Sequence, residues 1–357
     1  MRTHTFALLG GLALLVALPL AWFAARQKPL VLAAAHGNAE TSDYKISGPY
    51  THKNLSIFLL HGKESAAAAE ARASGKIFLT LSEAITQKKV VVYETKTVNT
   101  LTIENLSNDE VFVQSGDIVK GGQQDRMLAV DLILPARSGK VSIEAFCVEQ
   151  GRWSKRGTET VTQFHSANDR AATRELKLAA KRSKSQGEVW AKVAEAQAKL
   201  ASNVGAPVTS QQSASSLQLT LENERVRATT EEYVKALEGI VSKHPDAIGY
   251  AFAINGQVNS ADVYASPALF AKLWPGLLKA SAVEAVAELK AGKPESAARA
   301  EDVSSFIEES ESGAADDKDV NTRVQLRTKE TQSNIVFETR DRARKSAWVH
   351  RSYINKK

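Results

Sequence analysis

Two segments of this chain carry the residue types that chemistry requires. The denser is Val113-Gln-Ser-Gly-Asp-Ile-Val-Lys-Gly-Gly-Gln-Gln-Asp-Arg126. Between two expected strands it sets the acids Asp117 and Asp125, the bases Lys120 and Arg126, the amides Gln114 and Gln123, and the pair Gly121-Gly122. Adjacent glycines let backbone N–H groups converge on an anion, and Lys120 or Arg126 would supply the countercharge. The same string also reads as a polar β-turn whose charges pair with one another. It has neither the G-x-x-x-x-G-K-[ST] spacing of a P-loop nor a dinucleotide fingerprint.

The second segment is Phe146-Cys-Val-Glu-Gln-Gly-Arg-Trp153, which holds the single cysteine. A thiol nucleophile needs a base that keeps it as thiolate; for Cys147 the candidate base is His165, with Glu149 as the orienting acid. Against that, Cys147 is in phase with Val141, Ile143 and Ala145 on the apolar side of its strand, where a thiol is inert. Arg152-Trp153 would form a cation–π or stacking platform for a planar ligand, or else close a core at a turn. Arg340, Asp341, Arg342, Arg344 and His350 make the C-terminal strands unusually polar, which fits an exposed edge kept soluble as well as it fits a site. No Ser–His–Asp constellation and no carboxylate pair stands out from spacing. No C-x-x-C or H-E-x-x-H occurs and the 7 histidines are scattered, so neither a structural metal nor a cofactor is expected.

The elements that must position these residues follow from periodicity. Asn54–Gly62 and Val90–Tyr93 read as strands, and Leu79–Ile85 as a short helix entered through Thr80 or Ser82. From Leu101 to Val148 apolar residues alternate with polar ones and turn residues interrupt them, which indicates an antiparallel sheet. Val189, Val193, Ala196 and Leu200 form a helical stripe. Thr229-Thr-Glu-Glu232 reads as a capping box, and Ile248–Ile254 followed by Asn255-Gly256 as a strand entering a type I′ hairpin. Ser266-Pro267 opens another helix, which Pro275 is expected to kink or break. The acidic stretch Glu308–Asp319 looks like a loop, and Val324–Leu326, Ile335–Phe337 and Ala347–Tyr353 close the chain as strands. The fold class expected is α+β: an antiparallel sheet or sandwich-like lobe over about 54–150 with packed helices, then a hairpin-containing α/β portion over about 186–354. Residues 40–357 read as a single large domain, divisible into lobes 50–165 and 186–354, with 203–216 as an exposed connector.

Composition is that of a globular protein. The net charge is +6, but Arg2, Arg26 and Lys28 stand in residues 1–35 without an acid, which leaves +3 on the remainder. So small a charge argues against nucleic acid as a partner. Bases bunch at Arg170, Arg174, Lys177, Lys181, Arg182 and Lys184, and acids at Glu308–Asp319; both read as solvated faces. With one cysteine there is no intrachain disulfide. Phe6–Ala25 is an unbroken apolar run long enough to cross a bilayer, so residues 1–35 read as a retained anchor or as a signal peptide cut after Ala35. Either way the remainder is expected outside the cytosol, in the periplasm or tethered to the membrane.

Several of these strings, in order, resemble the ARPP-1 domain family, whose domains are found associated with ADP-ribosylglycohydrolase and rhodanese-phosphatase superfamily proteins. They are NLSIFLLHG, LTLSEAI, VQSGDIVKGGQQDR, FCVEQGRW, AINGQVNSADVYASPALFAKLWPGLL and FETRDRARKSAWVHRSYI, and they span most of residues 50–354. The resemblance implies company with ADP-ribose and phosphate chemistry, but no assigned reaction and no catalytic residue to carry over. The expectation is an exported, non-catalytic binding or scaffolding domain that meets a small anionic ligand or an envelope protein. The alternatives are a ligand-processing enzyme, through Cys147 and His165 or through Asp117 and Asp125, and a structural domain contacting another protein through 203–216 or the acidic stretch.

Overall fold

The structure, a computed structural model, describes residues 39–41, 43–62, 78–170, 173–290 and 297–357. The apolar run Phe6–Ala25 and the alanines at 33 and 35 lie outside these residues. No helix among those described is long and apolar enough to cross a membrane.

The architecture is α+β, built on two β-structures. The first is a nine-stranded antiparallel sheet in the order β1 (Ala39–Glu40), β2 (Tyr44–His52), β3 (Leu55–Gly62), β13 (Ala247–Ile254), β14 (Gln257–Tyr264), β18 (Ala347–Asn355), β17 (Asn334–Asp341), β16 (Val324–Glu330), β15 (Ala314–Asp319). The second is a closed barrel of β11 (Gly139–Cys147), β6 (Thr100–Asn105), β5 (Val90–Thr97), β12 (Gln163–Arg170), β8 (Asp117–Gly121) and β9 (Arg126–Leu128). A small sheet of β10 (Leu132–Leu134), β7 (Val111–Val113) and β4 (Leu79–Thr80) adjoins the barrel.

The large sheet is covered on both faces, which explains the continuous apolar string IGYAFAI. Along β13, Tyr250, Phe252 and Ile254 pack into one core with helices α3 (Gln186–Val204), α4 (Leu217–Leu221), α5 (Glu224–Leu237) and α6 (Pro267–Ala287). The alternate residues Ala251 and Ala253 face Val303, Phe306 and Ile307 of α7 (Ala300–Glu311). Small residues on one face and aromatics on the other set how closely each layer approaches. Asn255 and Gly256, at φ +52° and +81°, make the expected two-residue hairpin turn. Thr80 caps α1 (Leu81–Thr86) in a full capping box with Glu83.

Several elements differ from the sequence-based expectation. β3 pairs with β13 along its length, so the strand at 55–62 joins the larger sheet and not the lobe beginning near 54. Helix α5 starts at Glu224, ahead of the Thr229 string, because the Asn223 side chain accepts from the N–H groups of Arg225 and Val226; Thr230 is then a buried interior residue. Pro275 does not break α6. Its ring is exposed, as is Ala271, whose carbonyl loses a donor to water's reach, while Leu273, Trp274, Leu277 and Leu278 anchor the helix on either side. The acidic stretch is helix and edge strand: β15 is exposed throughout, and its acids blunt the free edge. The polar C-terminal strands are interior to the sheet, with Asp341 and His350 buried, so their polarity serves the inside of the molecule.

The pairing across β13 and β14 leaves no room for a side chain at Gly249, where a Cβ would sit 2.4 Å from the Asp262 carbonyl oxygen and 2.7 Å from Val263 Cα. Gly249→Ala is expected to cost about 1–3 kcal/mol by forcing two strands apart, read as a lowered urea midpoint at unchanged slope.

Candidate functional site

Where the barrel meets the large sheet, five side chains from distant parts of the chain converge on one buried imidazole. Register places His350 of β18 opposite Tyr264 of β14 on one side and Thr339 of β17 on the other. Asp262 lies two residues from Tyr264 on the same face, and the His350 and Tyr264 rings stack at 4.6 Å. The barrel contributes Asp131, from the segment joining β9 to β10. His350 Nδ1 is 2.7 Å from Asp131 and Nε2 is 3.1 Å from Asp262. Carboxylates only accept, so both ring nitrogens carry protons and the ring is an imidazolium. Asp131 also accepts from the Thr339 hydroxyl at 2.6 Å and from the Ser115 N–H at 2.7 Å.

The electrostatics follow from this geometry. Burial by itself lowers the pKa of His350, but Asp131 and Asp262 outweigh it and the net shift is upward. Burial likewise pushes Asp131 and Asp262 up, and His350 with the nearby lysines pulls both well below the usual carboxylate range.

A cleft of about 30 Å³, room for about two waters, opens beside this cluster. Its lining includes Gln114, Arg170, Lys177, Lys181, Tyr250 and Asp262. Arg170 pairs with Asp117 and donates to the Ser115 carbonyl at 3.0 Å. The lysines lie one turn apart, on α2 (Arg174–Leu178) and on a π-helical turn at Ala179–Ser183, an irregularity frequent at functional sites. Lys181 Nζ sits 4.4 Å from the Phe337 ring centre. Burial pulls its amine down, against the attraction of Asp131 and Asp262. Beyond Lys181, a second cleft of about 20 Å³ is lined by Ser115, Asp131, Lys184 and Thr339. Elsewhere on α6, Glu284 accepts from the Arg174 N–H (2.8 Å) and Asn259 (2.9 Å), and its other oxygen is buried without a partner.

Gln114 completes the wall. Its amide nitrogen lies 2.7 Å from the Tyr264 hydroxyl and 3.4 Å from His350 Nε2, and its oxygen is buried without a partner. An imidazolium N–H cannot receive an amide N–H. Turning the amide over puts its oxygen on Tyr264 and the imidazolium, and leaves the NH2 as the unpartnered donor in the cleft wall.

The segment Gln114–Arg126 is therefore divided. Gln114 and Asp117 belong to the cleft, whereas the rest folds into ion pairs of its own. Lys120 bonds both Glu222 oxygens at 2.7 Å. The Gly121 N–H donates to Asp125 and the Gly122 N–H to the Thr160 carbonyl, both at 3.0 Å, so the glycine pair is spent within the fold. Gln123 donates its N–H to Glu94. Asp125 and Glu149 are bridged by Arg156, at 2.8 and 3.1 Å, with Arg152 on Glu149 at 2.7 Å. Arg126 is fully buried, touches Cys147 Sγ, and lies 5.7 Å from the ring of the half-exposed Trp153. Cys147 is buried on β11, its thiol directed at the Val98 carbonyl, while His165 is exposed on β12 opposite Lys120. The structure does not bring Cys147 and His165 into hydrogen-bond contact.

Sequence reasoning missed Asp131, Asp262, Tyr264 and Thr339, and took Arg170, Lys177 and Lys181 for part of a solvated face. One signal was present: an acid inside the apolar strand ending Ser-Ala-Asp262-Val-Tyr264 must be neutralised somewhere in the interior.

Fold and site together define an α+β domain in which a barrel and a two-faced sheet share a charged, partly enclosed cleft. The chain belongs to the ARPP-1 family, the ARG and Rhodanese-Phosphatase-superfamily-associated Protein domain, whose model matches residues 43–354. No curated protein and no solved structure matches it.

Removing the imidazole tests the cluster. His350→Ala removes the cation that pairs directly with Asp131 and Asp262 and is expected to cost about 3–5 kcal/mol. Because the folded pKa of His350 is raised, its contribution is full below about 6.5 and is lost as pH rises through the folded value. Denaturation of both proteins across pH 5–9 should therefore show their difference shrinking at the alkaline end.

Proposed function

We propose that this chain is an exported binding domain of the cell envelope, and that its cleft holds the anionic head group of a small ligand without acting on it. The carrying observation is Lys181. It is half-buried between two clefts and desolvated, and the nearest carboxylates, Asp131 and Asp262, are already committed to His350. A desolvated cation without its own counterion gains most from an oxyanion delivered to it. Lys177 and Arg170 flank the position, and the Gln114 amide offers a neutral donor. The volume suits one phosphoryl-sized group, so the rest of a ligand would lie outside.

Binding is favoured over turnover because His350, the buried imidazole of the site, has both nitrogens clamped. It has no lone pair to accept a proton, and no carboxylate releases it. The export half of the proposal rests on the apolar run Phe6–Ala25 and its flanking Arg2, Arg26 and Lys28. The family is named for its association with phosphatase-superfamily proteins, which makes phosphate-bearing ligands the first to test.

Thermal unfolding in the presence of phosphate, pyrophosphate and ADP-ribose checks this reading. A ligand at 100 times its dissociation constant should stabilise the protein by about 2.7 kcal/mol and raise the midpoint by a few degrees. Lys181→Met keeps the length of the side chain and should abolish that rise. No rise with any of the three anions, or an equal rise in the variant, would dismiss the cleft as the binding site.

A further inference from the structure

On the same face of the large sheet, beyond the aromatic wall of Tyr250, Phe270 and Trp274, a second group of polar side chains stands outside the cleft. Ser47 Oγ lies 2.8 Å from His61 Nε2, and His61 Nδ1 lies 2.7 Å from Asp246. The carboxylate of Asp246 can only accept. A neutral His61 therefore carries its proton on Nδ1, and Nε2 accepts from the Ser47 hydroxyl. This is the connectivity in which a serine hydroxyl is activated by a histidine that a carboxylate holds in one tautomer.

The backbone supports that alignment. The register of β2 against β3 shifts between Ser47 and Tyr50, and such bulges re-aim side chains. Gly48, at φ +123°, makes the bend; a Cβ there would meet the Ile57 carbonyl oxygen at 2.9 Å, so only glycine allows this path. His61 closes β3, and Asp246 directly precedes β13, whose first residue, Ala247, pairs with His61. The His244 ring packs edge-on to His61 at 5.9 Å and is itself held by the Tyr50 hydroxyl at 2.8 Å. Ser47 is half-buried, and the His61 side chain retains 14% of its exposure, so the pair is reachable from solvent. Three strand spacings, roughly 14 Å, separate β2 from the strand that carries Asp262.

We infer that Ser47, His61 and Asp246 form a second, esterolytic site that acts on small carboxylic esters. Ser47 Oγ attacks the ester carbonyl carbon as its proton passes to His61 Nε2, and the resulting imidazolium is held by Asp246. The tetrahedral adduct collapses, the C–O bond to the alcohol breaks, and His61 returns the proton to the departing alkoxide. Water, deprotonated by His61, then hydrolyses the acyl-Ser47 and releases the carboxylic acid. Because the site is open, solvent hydrogen-bonds the oxyanion, so turnover is slow and activated esters react first. This inference is independent of ligand binding at Lys181.

A fluorophosphonate probe and p-nitrophenyl acetate, applied to the full chain in detergent, test it. The expected result is one covalent adduct that peptide mass mapping places on Ser47. Ser47→Ala and His61→Gln should each lose at least tenfold in labelling and hydrolysis at an unchanged unfolding midpoint. Asp246→Asn should lose about tenfold, and Asp246→Glu should recover most of that loss, which a merely structural carboxylate would not require. An unlabelled wild-type protein, an adduct on another residue, or undiminished labelling in folded His61→Gln overturns the assignment. Mapping on the wild-type chain decides the matter even if a variant fails to fold.

Discussion

The rest of the structure depends on neutralising one buried cation. The His350 imidazolium is nearly inaccessible and faces a carboxylate at each nitrogen, one from the barrel and one from the sheet. Neither β-structure satisfies it alone. Asp131 without the sheet would lose His350 and Thr339, and His350 without the barrel would lose its shorter bond. Hydrophobic contact is tolerant of small sliding movements, whereas this arrangement is not, because a displacement of an ångström or two strands a charge in the interior. The cluster thus sets how the barrel docks, and greasy packing supplies the bulk of the stability.

A second set of charges reinforces the same junction. Glu110, just before β7, receives both Arg323 and Arg344 from the sheet side, and Asp341 of β17 holds those two arginines from the other direction. On the barrel's own side, Arg156 gathers Asp125, Glu149 and Glu159. Lys177 and Lys181, on the helical turns beside the cleft, make no ion pair among the described residues. The cleft therefore follows from charge balance as much as from shape. Lys181 stands on the π-helical turn, over Phe337 and between the two openings.

Much of the scaffold was legible in the order of residues, and the failures share a cause. The hairpin at Asn255-Gly256, the cap at Thr80, the start of α6 at Ser266-Pro267 and the alternation through 101–148 all rest on interactions within a few residues. Asn223 was overlooked as a cap because Thr229 offered a better-known pattern; only the packing of Val226 and Thr230 chooses between them. Pro275 survives inside α6 because its neighbours are buried, a fact of packing and not of propensity. The segment Gln114–Arg126 was legible as polar and important, but its division between the cleft and the Arg156 network was not.

The chain by itself determined the local pieces: strands and helices in their order, turns, caps and a single cysteine in phase with a core. These follow from backbone sterics, side-chain periodicity and water's rejection of hydrocarbon, which act over short stretches. Tertiary structure alone decided that residues 131, 262 and 350 would meet, and that residues 47, 61 and 246 would align. Such meetings depend on strand register and on the docking of two β-structures. A shift of one residue would turn the strand-borne members, Ser47, His61, Asp262 and His350, to the opposite face.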